Sequence, residues 1–326
     1  MPSIITTGTM SAKAFGFAAN LFKLIPSVYT ANGGNDTLSK ITAAGTVTQA
    51  WATLASGASP DAIAIDSSGN IYTANYGHGI DTVSKITAAG TVTQAWATLA
   101  SGASPVGIAI DSSGNVYTAN GGNNTISKIT PGGTVTQAWA TLASDANLQG
   151  IAIDSSGNVY TTNYNNNTVS KITSSGTVTQ AWATLASGAN PVGIAIDSSG
   201  NVYTTNNGNY TVSKITPAGA VTQAWATLAT DAAPYGIAVD SSGNVYTANV
   251  GLDTVSKITP AGAVTQAWAT LATGAYPQGI AIDSSGNVYT TNVGLDTVSK
   301  ITPAGAVTQA WATLATGASP YAIAIH

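Results

Sequence analysis

Acid–base chemistry in this chain has few residues to draw on. The 326-residue sequence contains no Cys, Glu or Arg, and its only histidines are His78 and His326. All 13 anionic residues are Asp and all 9 cationic residues are Lys. Without cysteine, thiolate nucleophiles and thiolate metal sites are excluded, and the spacing of the Asp residues lacks the carboxylate run and closing bidentate Glu of a calcium loop. A Ser/His/Asp relay needs an imidazole beside its nucleophile; His78 lies in a loop and His326 at the terminus. These residues predict no catalytic group, no metal and no cofactor. A hydrolase or lyase is the least favoured function on this reading.

The remaining polar chemistry recurs at fixed intervals. Tryptophans fall at Trp51, Trp96, Trp139, Trp182, Trp225, Trp268 and Trp311, spaced by 45 residues once and 43 thereafter. Each interval holds four short runs rich in β-branched residues, separated by Asp/Ser/Gly/Asn clusters that favour turns. In the interval beginning at Gly193, the spacing predicts strands over 193–197, 202–206, 211–216 and 220–228. Four strands per repeat of this length make a propeller blade, which cannot bury both faces unless neighbours stack and the ring closes. The expected fold is therefore all-β, a seven-bladed β-propeller over residues 27–326, preceded by a leader of residues 1–26.

Ring closure is legible from what is missing. Asp-Ser-Ser-Gly-Asn turns begin at Asp66, Asp111, Asp154, Asp197, Asp240 and Asp283, but the run Tyr321–His326 stops where a seventh would start. The first repeat begins just past that point, at Ser27. The last strand should thus complete the blade formed by residues 27–55, and no long sheet edge stays free.

Each repeat predicts a division of labour. The Trp is expected to pack between blades with the Tyr of the second strand. The Lys of Ser-Lys-Ile-Thr is expected to lie along the blade with its stem packed. The Asn ending the second strand is expected to bond loop backbone. Loops between second and third strands, and between fourth and first, vary among copies and lie on one face. All six tyrosines outside the strands, Tyr76, Tyr164, Tyr210, Tyr235, Tyr276 and Tyr321, fall there, with seven of the Asp residues. Tyr beside Asn, Ser and Gly is the composition of adaptable binding loops. The candidate ligand-binding residues are Tyr76, His78, Asp81, Tyr164, Asn165, Tyr210, Tyr235, Tyr276 and Tyr321.

The unit Gly-Ile-Ala-Ile-Asp-Ser-Ser-Gly-Asn-Val-Tyr-Thr-x-Asn-x(4)-Thr-Val-Ser-Lys resembles the NHL-type β-propeller repeat over residues 27–326. That resemblance implies the fold and many roles. The chain departs from the pattern where many such repeats carry Asp, having Asn32, Asn75, Asn120, Asn163, Asn206, Asn249 and Asn292. It also opens the third strand with Thr where many carry Arg. Members that use those charges for RNA or protein are poor guides. Residues 8–18, Gly-Thr-Met-Ser-Ala-Lys-Ala-Phe-Gly-Phe-Ala, are similar to short N-terminal segments of tailed-phage virion proteins. With Phe15, Phe17 and Phe22 the only Phe residues, the leader is expected to dock on a particle.

The function expected from the sequence is a non-enzymatic display protein on a virion surface. Residues 1–26 would contact a virion or other particle protein, and the variable face a host-surface glycan or protein. The alternative is an extracellular interaction scaffold. The net charge of −4, with no basic stripe, argues against nucleic acid as a partner. No apolar run reaches the length of a membrane span.

Overall fold

The computed structural model describes residues 27–77 and 79–326; the leader with Phe15, Phe17 and Phe22, and also His78, lie outside the described residues. Seven antiparallel sheets of four strands form the blades of a ring. Blade 2 is representative, with strands Pro60–Ile65, Ile71–Asn75, Thr82–Ile86 and Val92–Thr98 from the axis outward. The second and third strands match the expected spans almost residue for residue. The first strand starts two residues earlier than expected, at its Pro or Leu. That shift carries a variable residue from the loop into the inner strand, with consequences for the site below.

Closure follows the expected 1+3 arrangement. The last strand, Pro320–Ile325, pairs with Val28–Asn32, which continues to Thr37–Ile41 and Val47–Thr53. Ser27 and His326 exchange two backbone hydrogen bonds of 2.9 and 3.0 Å at the seam.

The apolar core is divided into seven clusters, each shared by adjacent blades. Tyr29, Leu38, Ala52 and Leu54 of blade 1 pack against Ile71, Ile86, Ile63 and Ile65 of blade 2. Blade 7 meets blade 1 in the same way through Tyr289, Val298, Leu314, Val28 and Ile41. Second strands are buried on both faces, whereas outer strands expose most of theirs. The Trp behaves as expected: Trp51 lies 5.2 Å from Tyr29, and its indole abuts Gly90 in the turn of the next blade. Gly90 has φ +93°, so the turn needs a residue without a side chain on conformational grounds as well as for room. Lys40 sets its ammonium 5.5 Å from the Tyr29 ring and 5.6 Å from the Trp51 ring, within cation–π range.

Adjacent blades are also latched by an outer-strand Gln. Gln94 donates to Thr53 O and accepts from Ala55 N in the preceding blade, and Gln49 does the same across the seam to Thr313 and Ala315. The Asn ending each second strand corrects the expectation that it bonds loop backbone. Asn75 is buried and donates to Thr82 Oγ1 and Ser84 Oγ. The reason is register: the antiparallel pairing places Thr82 directly opposite Asn75, with Ser84 two residues further along the same strand, so the amide finds hydroxyls within the sheet.

The six Asp-Ser-Ser-Gly-Asn turns share one network. Asp66 accepts from the backbone of Ser68 and Asn70, from the Asn70 amide and from the Tyr72 hydroxyl. Burial works against the charge of each turn carboxylate, but these hydrogen bonds outweigh it and hold the group below the ordinary carboxylate range.

Two outcomes are expected from this architecture. A chain lacking residues 320–326 leaves blade 1 with an unpaired, doubly buried second strand, and should lose its single cooperative melt in calorimetry and gain protease sensitivity. Unchanged melting would contradict closure. The lowered Asp pKa values add stability that is complete above the unfolded value of about 3.9 and is lost as pH falls through the folded values. Asp66→Asn should therefore cost about 1–2 kcal/mol at pH 7. In denaturant titrations the gap to the parent should narrow as pH falls below the unfolded value of about 3.9.

Candidate functional site

The first residue after the Pro or Leu of each inner strand is the one inner-strand position whose chemistry changes widely from blade to blade. It reads Asp61, Val106, Gln149, Val192, Tyr235, Gln278 and Tyr321. Together with the following Gly or Ala and the Ile beyond, these residues line a central cavity of about 250 Å³ at the loop-face end of the channel. The walls are thus apolar at depth and polar at the rim, the usual composition of a small-molecule site.

Among the described residues, Asp61 is the only carboxylate in this lining, and no Lys or Arg is present there. Burial pushes its carboxyl up to about 6. Tyr235 is pushed up to about 12, by burial first and then by Asp61, Tyr321 and Tyr164. These four side chains therefore share one electrostatic neighbourhood. A carboxyl poised near neutrality beside the Tyr235 phenol, which stays protonated, is an acid–base arrangement. Among the described residues, no three His, Asp, Glu or Cys side chains converge as a metal-binding group would.

The structure sorts the remaining candidates. Tyr76 is 46% exposed and lines a groove that continues from the mouth. Tyr276 is 53% exposed but lies away from the lining, its ring over Gly294. Tyr210 donates to Asp231 and packs on an interblade core. Asn165 is exposed. Asp81 clasps the following loop, accepting from Gly102 N and Ser104 N at 2.7 Å each. Asp36, Asp253 and Asp296 do the same in their blades. Where the clasp residue is Asn124 or Tyr210, the loop instead carries Asp145 or Asp231 in place of the usual Gly. No loop therefore faces carboxylate with carboxylate. The acidic character of this face is largely loop architecture, because paired backbone N–H groups need acceptors. His326 lies at the opposite end, beside Gly69 of a turn.

Sequence reasoning passed over Asp61 and Gln149 as site residues. Their signal was present as variation at one strand position, but assigning that position to the loop concealed that it faces the axis.

The family model described as the virginiamycin B lyase family matches residues 25–206 and again 122–326. No curated protein matches the chain. Among solved structures, virginiamycin B lyase from Staphylococcus aureus superposes with a TM-score of 0.73 at 22% identity, covering 81% of this chain and 87% of that one. A catalytically inactive form of that enzyme with quinupristin, one histidine replaced by alanine, gives 0.69 at 23%, covering 76% and 83%. A putative 6-phosphogluconolactonase from Bacteroides uniformis gives 0.70 at 15%, covering 92% and 99%. At these identities the structures establish the fold. The family match bears out a β-propeller repeat protein and does not extend to the NHL-type repeat or to a virion leader. It overturns the expectation of a chain without enzymatic activity, since the family is named for a lyase. That expectation took His, Cys and Glu as the acid–base inventory, and the shift that burial imposes on one Asp is invisible in composition. The chain belongs to the virginiamycin B lyase family.

Proposed function

We propose that this protein is an acid–base enzyme of the lyase type, acting at the loop-face mouth of the central channel with Asp61 as its base. The observation that carries the reading is the single carboxyl of the mouth held near 6. In the S. aureus relative, replacing one histidine abolishes catalysis. Among the described residues the lining contains no histidine, and a carboxyl near 6 has about the proton affinity of an imidazole, whose ordinary value is about 6.5.

The elimination proposed here breaks a carbon–oxygen bond. Carboxylate Asp61 would take a proton from the carbon beside a carbonyl, the freed electron pair would form the new double bond, and the carbon–oxygen bond would break. The departing oxygen would leave as a carboxylate, stabilised by a hydrogen bond from a tyrosine hydroxyl, for which Tyr235 and Tyr321 are the candidates. Asp61 would then give its proton to water and regain its charge. The apolar Ile and Gly floor keeps the carboxyl poorly solvated, which raises its basicity.

Incubation with quinupristin and with neutral sugar lactones tests the reaction. Elimination that opens a ring gives a product of unchanged mass, whereas hydrolysis gives one heavier by a water. Turnover should rise with pH through about 6 as Asp61 ionises, and Asp61→Asn should lower kcat by about 10²–10⁴. An Asp61→Asn variant as active as the parent would overturn the assignment.

The same shift makes a stability prediction of opposite sign to the turn aspartates. Between the unfolded value of about 3.9 and the folded value of about 6, the folded protein binds more protons, so stability falls as pH rises through that window. Asp61→Asn should raise the Tm at pH 8 by a few degrees, with the gain vanishing near pH 4. Gain of stability with loss of turnover is the signature of a residue kept for function.

A further inference from the structure

The mouth is not symmetric. A groove of about 330 Å³ leaves it on one side, sharing Asp61, Val106, Gln149 and Tyr235 with the channel and running out past Asn147, Ser104 and the Gly121–Gly122 loop to Tyr76. Its asymmetry has a sequence origin. Blade 2 carries the one second-to-third loop lengthened by two residues, opening with Tyr76. Blade 3 answers with Gly121, where five of the other blades carry Tyr, Asn or Val, and the absent side chain leaves a low floor; Gly122 packs as closely on Gly102 O as its counterparts do in most blades.

The chemistry of this groove is specific. Among the described residues its lining holds no cation and one carboxylate. Asn147 and Gln149 are bonded to each other, Gln149 Nε2 donating to Asn147 Oδ1 at 3.1 Å, which orders both amides. Each amide offers donors and an acceptor, and Ser104 adds a hydroxyl capable of both. Tyr76, at the outer end, presents a rigid ring with nearly half its surface open. An ordered amide pair, a hydroxyl, a low floor and an aromatic wall match a ring with an apolar C–H face and a rim of hydroxyls. A phosphate or sulfate would meet Asp61 with no cation among the described lining residues to offset the repulsion.

We infer that this groove is a subsite for a neutral carbohydrate, one sugar ring stacked on Tyr76 and its hydroxyls bonded to Asn147, Gln149 and Ser104. The inference rests on the proposed lyase site only in placing the reacting end of the ligand at Asp61. Binding in the groove stands apart from turnover. The reading also separates this site from one that takes a phosphorylated sugar lactone.

The test is titration of the intact protein, by calorimetry and ligand-observed NMR, with maltotriose, cellotriose and chitotriose, and with maltotriose phosphorylated on a terminal 6-hydroxyl. At least one neutral trisaccharide should bind, and Tyr76→Ala and Gln149→Ala should each weaken it about tenfold. Tyr276→Ala, an equally exposed ring outside the groove, should leave the affinity unchanged. Phosphorylation should weaken binding. Asp61→Asn should abolish turnover yet retain the sugar, so a failed lyase site and a failed subsite give different results. The inference is overturned if no neutral trisaccharide binds, if Tyr76→Ala binds as the parent does, if the phosphorylated sugar binds more tightly, or if quinupristin alone occupies the groove.

Discussion

Every blade of this molecule buries its face on the next one, and that single requirement governs the rest. A four-stranded blade this small has no core of its own; the seven apolar clusters all straddle two blades. The interface geometry must therefore repeat around the ring, since an error in one interface would accumulate to a gap at the seam. This is why Tyr, Lys, Trp and the latching Gln recur unchanged in all seven blades. Dense interiors tolerate little change in volume, and here each interior position is used seven times.

The same requirement dictates where variation is tolerated. Positions between blades are locked, and so are the turns held by Asp66 and its equivalents. The inner-strand residues facing the axis and the loops at one end face no neighbouring blade closely. Even there most freedom is constrained by backbone satisfaction. The clasps of Asp36, Asp81, Asp253 and Asp296, and of Asn167 through its amide oxygen, tie a loop to the next, and the exchange to Asn124 with Asp145 or Tyr210 with Asp231 leaves no loop with more than one carboxylate. Once those carboxylates are assigned, Asp61 stands apart on the channel wall with its charge disfavoured by burial. A group held against its ordinary equilibrium in a concave site is what acid–base chemistry requires.

The periodic Trp, the four apolar runs per repeat, the turn residues and the truncated last repeat determined the blade count, the strand order and the 1+3 seam before any coordinates. These are local or periodic properties, and a closed ring is the only way such repeats bury both faces. The variable face was legible as well, because differences among copies can be read within one chain. Which members of that face form a site was not. Tyr235 and Tyr321 belong to the channel because a strand begins two residues earlier than its apolar pattern suggests; Tyr210 and Asp81 turn inward to partners 21 residues away in sequence. The pKa of Asp61 depends on walls contributed by several blades, so no stretch of sequence contains it. Composition named the available groups. Their convergence on the axis, and the desolvation that turns one aspartate into a base, arise only when the ring is closed.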